Sequence, residues 1–278
     1  MPLPLPLRLP LPLRQTALSI LCQADPAAKA REARTLVDWQ GDIDTDAVLP
    51  TPRDLPGRPL RPTLVAPQEV PSRTPFTLPG RAALLHSVAH IEFNAINLAL
   101  DAVWRFAGMP AAYYSDWAQV ASEEANHFTL LTEHLATLGC AYGDHLAHDG
   151  LWAMAERTAG DVTARMALVP RTLEARGLDA TPPMQARLAR AGDARAVAIL
   201  DIILRDEIGH VAIGNHWYRW LCERDGLDPV AHYVVLTQRY QAPRLRAPFN
   251  TAARLAAGFT APEIDALLAS PLLRADSP

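Results

Sequence analysis

Two pentapeptides of this chain, Glu123-Glu124-Ala125-Asn126-His127 and Asp206-Glu207-Ile208-Gly209-His210, each set a glutamate and a histidine three residues apart inside an apolar helical pattern. On a helix, residues at that spacing share a face one turn apart, with roughly 5–6 Å between Cβ atoms, so both side chains can reach one ion. A single Glu-x-x-His arises by chance in many helices. Here the pair occurs twice, each time behind a second acid and among aliphatic neighbours. Val120, Ala121, Phe128 and Leu131 share the face of Glu124, and Ile203, Leu204, Val211 and Gly214 share that of Glu207. These are core-facing stripes. A buried ionised carboxylate is costly unless a cation or a full set of hydrogen bonds compensates it. The pattern therefore predicts Glu124, His127, Glu207 and His210 as metal ligands in a helical core, ahead of the alternative of a buried charge network without metal.

A dimetal site in a helical bundle takes one further carboxylate from each of two more helices. Glu92 is the only acid on the face it shares with Leu85, Ala89, Ala95, Ile96 and Ala99, and it precedes Glu124 by 32 residues. Glu174 precedes Glu207 by 33, as in two helical hairpins related by pseudo-two-fold symmetry. Glu156 lies five turns before Glu174 on the same face of one long helical pattern, about 27 Å away along the axis, so periodicity alone leaves both open. The repeat spacing favours Glu174. Pro170, one turn earlier, is expected to kink the helix. His86 and His90 are expected to be core histidines or, at most, to support a ligand, and Glu123 and Asp206 to orient an arginine or a neighbouring histidine rather than bind metal. His145, His148 and Asp149 are expected to line a substrate entrance or cap a loop, and Tyr113, Tyr114, Trp217 and Tyr218 to serve packing.

The 278 residues, 49% hydrophobic, suffice for one large domain with a substantial core. With 26 basic against 30 acidic side chains there is no general footprint for nucleic acid or an anionic membrane, and the scattered arginines 157, 165, 171, 176, 187, 190 and 195 read as a solvated face. Cys22, Cys140 and Cys222 form no Cys-x-x-Cys pair, which argues against a disulfide framework or zinc knuckle and for a reducing, cytoplasmic setting. No apolar run reaches the roughly 20 residues of a membrane span. Residues 1–14, with proline at nearly alternate positions, are expected to be a disordered tail. Residues 15–80 should form a helical element starting near Asp25-Pro26 and then a proline-rich arm wrapping the surface. Residues 81–226 should hold four long helices, roughly 83–106, 111–138, 151–176 and 194–223, with 139–150 as a crossover. Gly177 and Pro182-Pro183 should end the third, leaving 184–190 as a short extra helix. Residues 227–278 should carry two flanking helices, 229–239 and 261–268, and a tail.

The runs Leu84–Asp101, Ser122–His127, Tyr142–Trp152, Leu168–Asp179 and Asp206–His210 together resemble a bacterial ferritin-like family without a settled reaction, the similarity extending from about residue 15 to the C-terminus. The resemblance implies an all-α, ferritin-like four-helix bundle with the proline-rich arm and extra helices added. Its wider relatives are ferritin-like carboxylate proteins, including diiron hydroxylases that modify transfer RNA. It also supports Glu174 as the fourth carboxylate. Four carboxylates and two histidines suit two iron ions, with manganese or a mixed manganese–iron pair as the alternative. The expected activity is a diiron oxidoreductase that uses dioxygen on a small-molecule or RNA-borne substrate, supplied by a redox partner and allowing a homodimer. Metal storage and a dimanganese, catalase-like activity are the alternatives. A closed storage shell fits poorly with the arm and the added helices.

Overall fold

In the computed structural model, which describes residues 11–71, 74–269 and 273–274, the chain is all-helical apart from one two-residue parallel strand pair, Leu245–Arg246 with Leu273–Arg274. Residues 1–10 of the expected tail lie outside the described residues, but its end does not behave as a tail. Leu13 and Arg14 are buried in the first helix, α1 (Leu13–Leu21). Arg14 is stabilised there by backbone carbonyls: its guanidinium donates to those of Asp44, Ala47 and Trp104 at 2.9, 2.6 and 2.7 Å. α2 (Pro26–Ala33) starts where the sequence indicates, with Pro26 in the first turn and the Asp25 carboxylate accepting from the Ala28 amide at 2.6 Å.

Among its described residues as far as Thr77, the arm contains no regular element beyond a 3-10 turn at Pro67–Glu69; its expected last residues, 78–80, instead open the next helix. It lies on the fold through specific ties. Gly57 donates to the Leu21 carbonyl at 2.9 Å, and the Lys29 ammonium donates to the Gly57 carbonyl and to Asn97 Oδ1 at 2.8 and 2.6 Å. Arg58 pairs with Asp149, and Leu64 bridges Ala147. A Cβ at Gly57 would come within 2.1 Å of the Cys22 carbonyl oxygen, so only glycine permits this approach.

Two long antiparallel helices come next, α3 (Leu78–Arg105) and α4 (Ala111–Thr137), joined by a tight turn in which Gly108 has φ +75°. The third expected helix is not continuous. α5 (Gly150–Arg157) stops at Thr158, and α6 (Val162–Leu168) restarts on the Asp161 carboxylate, which accepts from the Ala164 amide at 2.8 Å. Arg165 holds the break: it donates to the α5 carbonyl of Ala155 and to Thr158 Oγ1, and pairs with Asp101 of α3, fully buried between Arg165 and Arg105. A π-helical turn, Val169–Glu174, then leads into α7 (Ala175–Arg190).

α7 passes straight through Gly177 and Pro182-Pro183, so the expected separate helix at 184–190 does not exist. Pro182 removes the amide that would serve the Leu178 carbonyl. That carbonyl accepts instead from Asn250 Nδ2 at 3.1 Å, and the helix survives. α8 (Ala194–Arg224) is the longest helix, with Asp193 capping its first turn. It lies between α4 on one side and α6, the π turn and α7 on the other, while α3 packs on α4 and α5. Flanking helices α9 (Pro229–Arg239), α10 (Thr251–Ala256) and α11 (Ala261–Ala269) close the end, one more than the sequence pattern indicated. The buried core runs through Trp104, Trp117, Trp152, Tyr113, Tyr114 and Tyr218, the last three and Trp217 all packing as expected. Among the described residues, no helix is long and apolar enough to cross a membrane.

Candidate metal centre

The helical pattern brings Glu92 of α3, Glu124 and His127 of α4, and Glu207 and His210 of α8 into one buried cluster. One ligand atom each from Glu92, Glu124 and His127 lies within 4.8 Å of the other two, and the same holds for Glu124, Glu207 and His210. Glu124 is common to both groups. Glu174, at the end of the π turn, belongs to neither of these two groups. Its Oε2 is buried without a hydrogen-bond partner among the described residues, and the charges that act on it most strongly are those of Glu124, His210 and Glu92. Glu156 does not take part: it is exposed and accepts from Trp152 Nε1 at 3.0 Å. Its apparent equivalence to Glu174 assumed one straight helix, and the break at 158–161 removes that assumption.

The acids beside the ligand glutamates work across the helix pair. His127 Nε2 lies 3.0 Å from Asp206 of α8, and His210 Nε2 lies 2.7 Å from Glu123 of α4. Each helix carries the carboxylate that orients the other helix's histidine. With both Nε2 atoms so engaged, both Nδ1 atoms face the glutamates. His127 Nδ1 is 3.2 Å from Glu92 Oε2 and 3.3 Å from Glu124 Oε2. His210 Nδ1 and Glu124 Oε1 approach to 2.9 Å without the alignment of a hydrogen bond, as atoms do when aimed at a common point rather than at each other. Glu123 and Asp206 alone were expected to orient an arginine or a neighbouring histidine; the sequence signal for the crossed arrangement is the acid preceding each Glu-x-x-His.

His86 and His90 are placed elsewhere. His86 Nε2 accepts from the Gly143 amide at 2.8 Å, and the ring stacks on Tyr142. His90 Nδ1 meets the Tyr142 hydroxyl at 2.9 Å and its Nε2 the His148 carbonyl at 3.1 Å. Both anchor the 139–149 loop, and burial pushes each imidazole down to about 4, so both are neutral anchors. In that loop Asp149 pairs with Arg58, while His145 lines a cavity of about 190 Å³ with Ser87, Asp144 and Leu146. Tyr142 also packs on Phe93 and Phe128, the residues immediately after Glu92 and His127, giving the ligands an aromatic wall that periodicity did not single out.

The electrostatics of the cluster are those of a site short of cations. Burial, with the charge of Glu124 added, pushes the Glu92 carboxyl up to about 7 and the Glu174 carboxyl up to about 8, and drives Glu207 well above the usual range. Burial also opposes ionisation of Glu124, but the charge of His210 and the hydrogen bond and charge of His127 outweigh it, and this carboxyl is held far below its usual value. Both histidines are raised: burial disfavours their cations, but Asp206, Glu124 and Glu92 around His127, and Glu124 and Glu123 around His210, favour them more strongly. Protons held on these carboxyls and histidines thus balance the charge of the cluster. Of the buried side-chain atoms lacking a hydrogen-bond partner among the described residues, four belong to these glutamates and His210: Glu124 Oε1, Glu174 Oε2, Glu207 Oε2 and His210 Nδ1, the first and last forming an ion pair at 2.9 Å. Buried polar groups are normally satisfied, so this concentration makes the cluster a candidate ligand site. All the ligand atoms are carboxylate oxygen or imidazole nitrogen, a set that suits iron or manganese.

A family profile described as "Protein of unknown function (DUF455)" matches residues 22–265. An uncharacterised protein of Haemophilus influenzae is 55% identical over 214 residues, covering 74% of this chain and 74% of its own length. No solved structure matches the chain significantly.

Proposed function

The chain belongs to the DUF455 family of proteins of unknown function, and on that footing we propose that it is a ferritin-like dimetal-carboxylate protein, a diiron oxidoreductase that uses dioxygen to hydroxylate or otherwise oxidise a substrate. The observation that carries the reading is one buried cluster in which Glu92, Glu124 and His127, and again Glu124, Glu207 and His210, bring one ligand atom each within 4.8 Å of one another. The helix pattern supports it. Two rods, α3 and the α5–α7 rod, carry the single glutamates Glu92 and Glu174, and α4 and α8 each carry a Glu-x-x-His pair, the ligand pattern that carboxylate-bridged metal pairs take in four-helix bundles.

In this reading Glu92, Glu124 and His127 hold one ion, and Glu207, His210 and Glu174 hold the other with Glu124 shared. When bound, two adjacent iron ions would supply the electrons that reduce dioxygen. The chain's own residues do the rest. Asp206 and Glu123 accept the Nε2 protons of the two histidines, which fixes the rings and leaves Nδ1 as the nitrogen that would be presented to metal. Phe93, Phe128 and Tyr142 keep water from the α3–α4 side. Glu207 and Glu174 carry unpartnered oxygens and so have the freedom to change their mode of binding. A cytoplasmic location, a redox partner and a small-molecule or RNA-borne substrate belong to the same proposal.

The test is anaerobic reconstitution of the purified protein with ferrous iron, followed by oxygen and a reductant. Iron-dependent oxygen consumption that is absent from Glu124→Gln supports an oxidoreductase. Two ions bound without oxygen consumption point to metal binding or storage, and two manganese ions with peroxide turnover to a catalase-like enzyme.

A further inference from the structure

The π turn that carries Glu174 is held by residues that do not belong to the ligand set. Pro170 has no amide to offer Met166 and its ring crowds that carbonyl, which opens the helix at this point. The Ala175 amide then reaches back to the Pro170 carbonyl, five residues earlier. Thr172 Oγ1 donates to the Ala167 carbonyl at 2.7 Å and lies 2.8 Å from the Tyr233 hydroxyl of α9. Pro170 itself seats on α8 at Gly214, where a Cβ would come within 2.4 Å of the proline ring.

Between these contacts lies Arg171, 3% exposed. One side of its guanidinium donates to Asn215 Oδ1 of α8 and the other to Glu263 Oε1 of α11 at 2.8 Å. The rings of Phe259, Tyr218 and Tyr233 surround it, with centroids 4.6, 5.2 and 5.5 Å from the guanidinium carbon. Glu263 is itself fixed, accepting from Arg219 at 2.7 Å and from the Thr260 amide at 2.8 Å, where it closes the capping box of α11. A fully caged arginine, linking three elements within one turn of Glu174, is a costly arrangement for a surface helix alone.

We propose that Arg171 is a positioning residue for Glu174: clamped between Asn215 of α8 and Glu263 of α11, it fixes the π-helical register in which Glu174 faces the metal centre. A π turn fits one more residue than an α turn, so relaxation to α geometry rotates the helix after the turn by about 100° relative to the helix before it. α6 is fixed by Arg165–Asp101 and α7 by Arg254–Asp179, so the rotation falls on the turn between them and takes Glu174 away from Glu124 and His210. The C-terminal helix thereby becomes the outer jaw of a ligand. The inference rests on the metal-centre reading and assigns the clamp to one of its two ions.

The test is anaerobic ferrous-iron titration of the full-length protein by calorimetry, with bound iron counted by elemental analysis and the melting temperature recorded. Arg171→Met loosens the clamp, and Gly214→Ala presses Pro170 off α8 from the opposite side. Both are expected to leave the ion of Glu92, Glu124 and His127 at wild-type affinity while weakening the other by at least about tenfold, the scale of losses when a ligand's supporting residue is removed. Arg171→Lys restores part of the loss. Lys29→Met, which removes a buried tie beneath the arm and takes no part in the clamp, is expected to lower the melting temperature and keep both ions. The clamp is overturned if Arg171→Met and Gly214→Ala bind both ions as wild type does. It is equally overturned if they weaken both ions together, or lose them no more selectively than Lys29→Met. A wild-type protein that binds no iron overturns the metal-centre reading itself, and the clamp with it.

Discussion

Glu124 is the only residue common to both ligand groups, and its carboxylate lies between two histidines that the surrounding acids hold as cations. Glu124→Gln is therefore expected to abolish binding of both ions, whereas Glu92→Gln and Glu207→Gln each remove chiefly one; elemental analysis of the three variants beside wild type checks the asymmetry. Proton linkage gives a second expectation. Glu92 and Glu174 keep their protons up to about 7 and about 8, Glu207 is also raised well above the usual carboxylate range, and a metal ion binds only the ionised form. Below those values the ion must displace protons. Apparent affinity is expected to rise between pH 6 and pH 8, with protons released on binding; calorimetry in buffers of different ionisation heat detects the release, and a flat affinity across that range would show that these carboxyls do not ligate. The residues themselves were legible because Glu-x-x-His is a local pattern. The crossing of Asp206 to His127 and Glu123 to His210 was less so, since it depends on how α4 and α8 face each other.

At the scale of elements, periodicity placed α3, α4 and α8 closely but failed on the third rod. It joined α5 to α7 in one helix and broke α7 at Pro182-Pro183, and both errors have the same cause. Carbonyls freed by a break or a proline were satisfied by side chains distant in sequence, Arg165 for Ala155 and Asn250 for Leu178, and no local rule shows such partners. α10 was missed for a related reason: its six residues are too short for periodicity, and it is fixed by Arg254, which reaches Asp179 at 2.6 Å. Asp101 is the corresponding hinge of the rod, buried between Arg165 and Arg105. Asp101→Ala leaves Arg165 as an uncompensated buried charge and should cost about 3–5 kcal/mol, read by chemical denaturation. A loss under about 1 kcal/mol would show that Arg165 finds water, as surface ion pairs do.

At the scale of the molecule, the proline content of residues 49–80 pointed to an arm without regular structure, which among the described residues holds as far as Thr77 apart from the turn at Pro67–Glu69, whereas Pro79 sits in the first turn of α3; it did not show how the arm is fastened. Lys29, the only lysine in the chain, is fully buried beneath it, and burial with the nearby Arg58 charge pushes its ammonium down to about 7. Lys29→Met leaves the Gly57 carbonyl and Asn97 Oδ1 without their donor and should cost about 1–3 kcal/mol. Limited proteolysis should then cut the arm sooner than in wild type, and an unchanged digestion pattern would place the arm's anchorage elsewhere. The arm, the 139–149 loop and the C-terminal helices together enclose the rods whose inner faces carry the glutamates. What the whole fold encloses is decided most directly by elemental analysis of protein purified from cells supplemented with iron and manganese, wild type beside Glu124→Gln. Close to two irons per chain in wild type and none in the variant is the predicted result; a wild-type protein free of both metals would contradict the metal centre.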